Sequence, residues 1–299
     1  MQKEEPKIMK TRLKLAAFAL FLSTINSQLA TTHAQGSLTP PGAPAPTMKT
    51  LDQIEARTPV DALHTPGDFS SQFSISQPGA YYLTTNLLGV SSKYGIQIVT
   101  NNVTLDLNGF SLLGTSSSLN GIFSFTNYSN LTVRNGTISG WGTGWNGIRF
   151  HGRNATLEHL NVSGNSFGIQ CGDGSVIRDC VINGNQRDGI DVQGSGCLIL
   201  NNNLAGNNAL NSPGNAGISV LGSNNRIEGN HVTGSGNPGN GILIFTVPGP
   251  NTNNFVVRNT VIGAGTNYNI TAGNILGPLI TNTVSGIITN SNPWANFSF

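Results

Sequence analysis

The 299-residue chain is predicted to be all-β: a single right-handed parallel β-helix of about eight to nine coils, preceded by a short N-terminal capping helix. Three observations lead there. The pair Gly-Ile recurs at Gly95, Gly121, Gly147, Gly168, Gly189, Gly217 and Gly241, with successive intervals of 26, 26, 21, 21, 28 and 24. Thirty-eight glycines, many Asn, Ser and Thr, and only 9% charged residues supply turns in number. No helical apolar period runs through the repeats, so each short unit must bury its face by stacking on its neighbours.

The N-terminal segment 1–34 reads as an export signal. Lys10, Arg12 and Lys14 precede the apolar run Leu15 to Leu22, which is too short to span a bilayer, and Thr32-His33-Ala34 ends in small residues that predict cleavage after Ala34. The mature chain is then expected to be secreted or periplasmic, with no membrane association. Segment 1–34 holds five of the 15 Lys+Arg and two of the 13 Asp+Glu, which leaves 10 against 11 and a balance of −1. Such a chain carries no basic footprint for nucleic acid. Residues 35–49 form a Pro/Gly-rich linker, and 50–72 an N-terminal cap in which Thr50-Leu51-Asp52-Gln53 has capping-box spacing. The solenoid is expected over 73–290, and 291–299 as an aromatic C-terminal cap through Trp294, Phe297 and Phe299.

An ungapped alignment of the second strands puts Leu105, Val133, Leu157, Ile177, Ile199, Ile227 and Val257 in one inward column. Phe110, Ile138, Val162, Ile182, Leu204, Val232 and Ile262 form another. Asn108, Asn202 and Asn230 share an internal turn position where stacked amides bond one another. Beside the first column runs Asp106, Arg134, Glu158, Arg178, Leu200, Glu228, Arg258, whose alternating signs read as a structural ladder between coils. Cys171, Cys180 and Cys197 all fall on inward columns, and no two share one, so a disulfide is allowed but not predicted.

On the first strand the outward residues run Gln97, Phe123, Arg149, Gln170, Asp191, Ser219, Leu243. Ionisable side chains concentrate in the middle coils. Catalytic candidates are Arg149, His151, Asp188 and Asp191. A sugar-binding groove is expected from Trp141, Trp145, Arg149, Arg153, Gln170, Asp173 and Gln193, with flat rings for sugar faces and polar groups for their substituents. The competing reading is that the charges keep the face soluble while both tryptophans pack onto the coil below. The four mature histidines, His64, His151, His159 and His231, lack paired ligand spacing, so neither metal nor cofactor is expected.

Asn185-Gln186-Arg187-Asp188-Gly189-Ile190-Asp191 resembles the Asn-Thr-Asp-Gly-Ile-Asp stretch of the polygalacturonase family. The likeness is short, and it implies for Asp188 alone a place in that family's carboxylate set, which protonates the leaving oxygen and activates water; Asn207-Asn208 stands where the family has paired aspartates. A lyase would instead draw its base from Arg149 or Arg153. The signal, Thr50-Leu51-Asp52-Gln53-Ile54-Glu55-Ala56-Arg57-Thr58-Pro59, Ser76-Gln77-Pro78-Gly79-Ala80-Tyr81-Tyr82-Leu83, Val103-Thr104-Leu105-Asp106-Leu107-Asn108-Gly109-Phe110 and Asn292-Pro293-Trp294-Ala295-Asn296-Phe297 form a further set. Through them nearly the whole mature chain resembles exported bacterial β-helix-repeat proteins of the pectin-lyase-like superfamily. The resemblance implies the fold and no particular reaction. Two functions are expected from these residues: an extracellular scaffold or polysaccharide-binding surface, ranked first, and a lyase, hydrolase or epimerase acting on an acidic, uronate-containing glycan.

Overall fold

The structure, a computed structural model, describes residues 56–125, 128–246, 249, 251–281, 288 and 290–299. The expected signal, the linker and the capping-box residues 50–55 lie outside the described residues. Among the described residues there is no helix; every regular element is a strand, and every strand-to-strand ladder is parallel.

The Gly-Ile segments build a nine-stranded sheet, one strand per coil, from Ser71–Ile75 through Tyr94–Ile98, Ile122–Ser124, Asn146–Phe150, Phe167–Cys171, Ile190–Val192, Ala216–Val220 and Asn240–Ile244 to Thr266–Ile270. The other strands form an eighteen-stranded assembly that wraps the remaining faces. Its two ladders are bridged where single long strands, Leu131–Ser139 and Thr156–Ser163, cross both. The solenoid therefore has nine coils. Thr58–Pro59, within the segment expected as a cap, already pairs with Tyr81–Tyr82.

Asn and Gly abound because one tight corner recurs. Asn102, Asn130, Asn154, Asn224 and Asn253 hold φ near 60°, and Gly174 and Gly196 take the same place in the two coils between. Asn and Gly enter the left-handed region at least cost. The glycine of the Gly-Ile pair answers a different need, close approach across the core. A Cβ on Gly95 would lie 2.6 Å from the Trp141 ring, and one on Gly121 would lie 2.9 Å from its Nε1.

The inward columns form a continuous apolar core, with Leu105, Val133, Leu157, Ile177, Ile199 and Ile227 paired rung on rung and solvent-free. The last member is Val256, not Val257, and the second column ends on Val261, not Ile262. Phe255-Val256-Val257 is apolar at three successive positions, so hydrophobicity alone does not set its register; Ile262 is turned out to solvent. At the other end Leu112, not Phe110, pairs with Ile138, because Asn108 and Gly109 turn with positive φ and lengthen that coil.

The same bulge removes Asn108 from the internal amide ladder and leaves it exposed. Asn202 and Asn230 do form such a ladder, which continues through Asn259 to Asn296. Nδ2 of Asn202 donates to Asn230 Oδ1 at 3.0 Å, Asn230 to Asn259 at 3.0 Å, and Asn259 to Asn296 at 3.2 Å. A second ladder links Asn165, Asn185 and Asn207. The charge row closes as ion pairs: Arg134 with Asp106 at 3.1 Å, Arg178 with Glu158 at 2.5 Å, and Arg258 with Glu228 at 3.1 Å. Pairs this exposed contribute about 0–1 kcal/mol each. Arg258 is one residue out of register, since Val257 pairs with Glu228, yet its long side chain still reaches the carboxylate.

The C-terminal tail is a rung rather than a lid. Asn296–Ser298 inserts between Thr260–Ile262 and Leu279–Ile280, and Trp294 lies against Phe255, Arg226 and Arg258 on the outer surface.

Candidate functional site

Strand alternation sends the residue after each Gly-Ile pair out of the nine-stranded sheet, and the register stacks Gln97, Phe123, Arg149, Gln170, Asp191, Ser219 and Leu243 in one line. Two residues further along each strand come Phe125, His151 and Gln193. These outward residues are not freely solvated: Gln97, Phe123, Asp191 and Leu243 are all buried, so the face is a groove.

Its early end is aromatic. Tyr94 stacks on Phe123 with ring centroids 4.4 Å apart, Phe125 meets Phe123 edge-on at 4.7 Å, and Trp145 meets Tyr94 edge-on at 6.3 Å. Phe125 is 48% exposed, a large open ring surface for this chain. A pocket of about 330 Å³ opens there, lined by Phe123, Phe125, Arg149 and His151. Tyr94 and Phe125 are absent from the sequence-based expectation. Phe125 lies two residues after the outward Phe123, and that alternation was the available signal; Tyr94 opens the strand Tyr94–Ile98 three residues before the outward Gln97, out of step with the alternation.

Next come hydrogen bonds between the outward side chains. Nε of Arg149 donates to Nε2 of His151 at 2.5 Å, and the Gln170 side chain lies near enough to the His151 ring to favour its protonated form. Nε2 of Gln170 donates to Oδ2 of Asp191 at 2.6 Å. Gln193 reaches both oxygens of the same carboxylate at 2.7 Å, and the Ser219 hydroxyl reaches Oδ1 at 3.3 Å. Burial, and then the neighbouring Arg149 charge, hold the His151 pKa below its ordinary value, so the ring is a neutral acceptor. Burial pushes Asp191 up against the pull of its amide donors. Asp188, on the same turn of chain, is pushed up to about 8 by burial and by Asp191.

The other expected residues separate from this network. Trp141 is not a groove residue: it is 1% exposed, spans the core beneath Gly95 and Gly121, and donates Nε1–H to the Leu112 carbonyl at 3.2 Å. Packing onto the neighbouring coils is therefore the correct reading for Trp141. Trp145 is half-buried, with its ring at the groove edge. Arg153 and Asp173 pair with each other at 3.5 Å on the turn after the strand, and Asp173 also accepts the Ser195 N–H at 2.9 Å. Asp188 accepts the Ala216 N–H of the next coil at 2.5 Å, as Asn120 accepts that of Asn146 at 2.7 Å, so it has a structural duty as well as a chemical one. Among the described residues no group of three or more His, Cys, Asp or Glu is arranged to hold a metal ion.

Coils of short parallel strands around an apolar core, with the charged groove on an outer face, define a β-solenoid. Residues 146–298, just over half of the chain, match the family described as right handed beta helix region, and the protein belongs to that family. Among solved structures, the chain is similar to the Dettilon tailspike protein (gp208), with TM-score 0.49 and 16% identity over 65% of this chain and 42% of the tailspike. It is also similar to endopolygalacturonase I from Stereum purpureum, complexed with two galacturonates, with TM-score 0.36 and 15% identity over 69% of each chain. The chain spans about two fifths of the tailspike's length. No curated protein sequence matches it.

Proposed function

We propose that the protein is an extracellular binder of acidic polysaccharide, holding sugar rings on the Tyr94, Phe123, Phe125 and Trp145 cluster and a sugar carboxylate on Arg149. One observation carries this. Six of the eight described arginines, Arg57, Arg134, Arg153, Arg178, Arg226 and Arg258, lie within 4.0 Å of a carboxylate, whereas among the described residues Arg149 bonds a neutral imidazole. The remaining one, Arg187, lies over the Phe167 ring 5.3 Å away. A cation bonded to a neutral ring in an aromatic-walled pocket is a ready anion site, and exposed rings beside it suit a sugar face. The extracellular setting rests on the leader-like segment 1–34; N-terminal sequencing of the exported protein should begin at Gln35.

The test is binding of the purified chain to uronate-containing and neutral polysaccharides, at low and high salt. Binding to the acidic polymers alone is expected, weakening with salt and losing about tenfold or more in Phe125→Ala and in Arg149→Ala. Equal binding of neutral polymers, or full binding by Arg149→Ala, would sink the reading.

A second, hydrolytic reading draws on Asp188 and Asp191. A carboxyl protonated near neutrality beside a second one held by amide donors has the components of acid catalysis at a glycosidic bond. It ranks second because both carboxylates are buried and engaged. New reducing ends released by the wild type and not by Asp191→Asn would reverse the order.

A further inference from the structure

The cysteines lie apart from the groove, inside the coil. Cys171 ends the strand Phe167–Cys171, and the turn Gly172–Ser175 leads from it to the next face. Cys197 stands directly over Ser175 in the following coil, since Val176 pairs with Leu198. Both thiols therefore fill the same internal corner, and both are solvent-free. Sγ of Cys197 lies 3.2 Å from the carbonyl oxygen of Gly172, the residue bonded to Cys171, and the neighbouring thiol pushes the Cys171 pKa up while it pulls that of Cys197 down. Cys180 is elsewhere: its Sγ faces the carbonyls of Arg178 at 3.2 Å and Leu157 at 3.7 Å.

We propose that Cys171 and Cys197 are a modification site: in an oxidising compartment they close into a disulfide that staples one coil to the next, leaving Cys180 as the single thiol. They belong to neighbouring rows rather than one row, and the turn brings them together. Chain folding delivers the pair before the corner is sealed. One cysteine thiolate attacks a small-molecule disulfide and releases one thiolate of that reagent. The second cysteine then attacks the mixed disulfide and releases the other, so that two cysteine thiols are oxidised as one external disulfide is reduced. Both thiols already occupy this corner in the native fold, with Cys197 Sγ against the residue that follows Cys171, so the pair is gathered for closure. The bond encloses one coil, a loop long enough for the cross-link to restrict the unfolded chain appreciably.

The full chain would be folded in a mixture of oxidised and reduced glutathione, then denatured without reductant, alkylated and mapped by mass spectrometry. Expected are one alkylated cysteine, Cys180, a loss of two hydrogens relative to the reduced protein, and a linked peptide pair containing Cys171 and Cys197. The midpoint of thermal unfolding should fall by about 5 °C or more on reduction. Cys180→Ser should keep the cross-link, and Cys171→Val should abolish it. That valine suits its row, where Val192 and Val220 follow, and Cys197→Ala gives a second variant of small volume. Three alkylated cysteines in chain that has folded with its native circular dichroism would overturn the proposal. So would a bond to Cys180.

Discussion

The Nε–H of Arg149 points at Nε2 of His151 across 2.5 Å. A donor aimed at that nitrogen requires its lone pair, so the ring proton belongs on Nδ1. Protonating the ring sets two cations against each other. Nitrogen-resolved NMR should show a neutral Nδ1–H tautomer at neutral pH, and Arg149→Gln should move the titration of His151 upward by removing that repulsion. Because the folded pKa is the depressed one, stability is lost as pH falls through the ordinary histidine value of 6.5, where the unfolded chain takes up a proton that the folded chain resists. Arg149→Gln should soften this acid loss, and an unchanged His151 titration would refute the contact.

Asp188 has the opposite sign. Its folded pKa, about 8, lies above the ordinary 3.8, so its contribution is most favourable below the ordinary value and is lost as pH rises toward 8. Asp188→Asn keeps an acceptor for the Ala216 N–H, as Asn120 provides for Asn146. It should stabilise the protein above pH 8, by about 2–5 kcal/mol in chemical denaturation, and flatten the decline between pH 3.8 and 8. A variant less stable than the wild type in alkaline buffer would contradict this.

The two tryptophans, alike in sequence context, should behave differently. Trp141→Ala removes the ring packed beneath Gly95 and Gly121 and should cost about 3–5 kcal/mol of stability. Trp145→Ala, at the half-buried groove edge, should cost about 1 kcal/mol or less while weakening glycan binding. Thermal unfolding and binding measured on the same samples separate them.

Internal amides should outweigh surface charges. Asn230 bonds the rungs on both sides, donating to Ile199 O and Asn259 Oδ1 and accepting from Asn202. Asn230→Ala strands those buried partners and should cost about 2–4 kcal/mol, against less than about 1 kcal/mol for Glu158→Gln in the outer charge ladder. Similar losses in urea unfolding for the two variants would show that the ladder of charges had been undervalued.

The sequence alone determined the solenoid, because a recurring Gly-Ile-x-apolar unit too short to bury its own face has few folds open to it. It also determined the outward line from Gln97 to Leu243, since alternation along a strand is a local property, and the reading of the charge row as ion pairs between coils. Tertiary structure decided whatever depended on how many residues each turn consumes. The Asn108-Gly109 bulge and the apolar triplet Phe255-Val256-Val257 shift their columns with no change in local pattern. Trp141 went to the core and Trp145 to the groove because only the stacked coils leave a space beneath Gly95 and Gly121. The groove chemistry was settled in the same way. Arg149, His151, Gln170 and Asp191 are individually legible, but the bonds from Arg149 to His151 and from Gln170 to Asp191, and the neutral His151, exist only once the rungs are in register and burial holds the ring's pKa down.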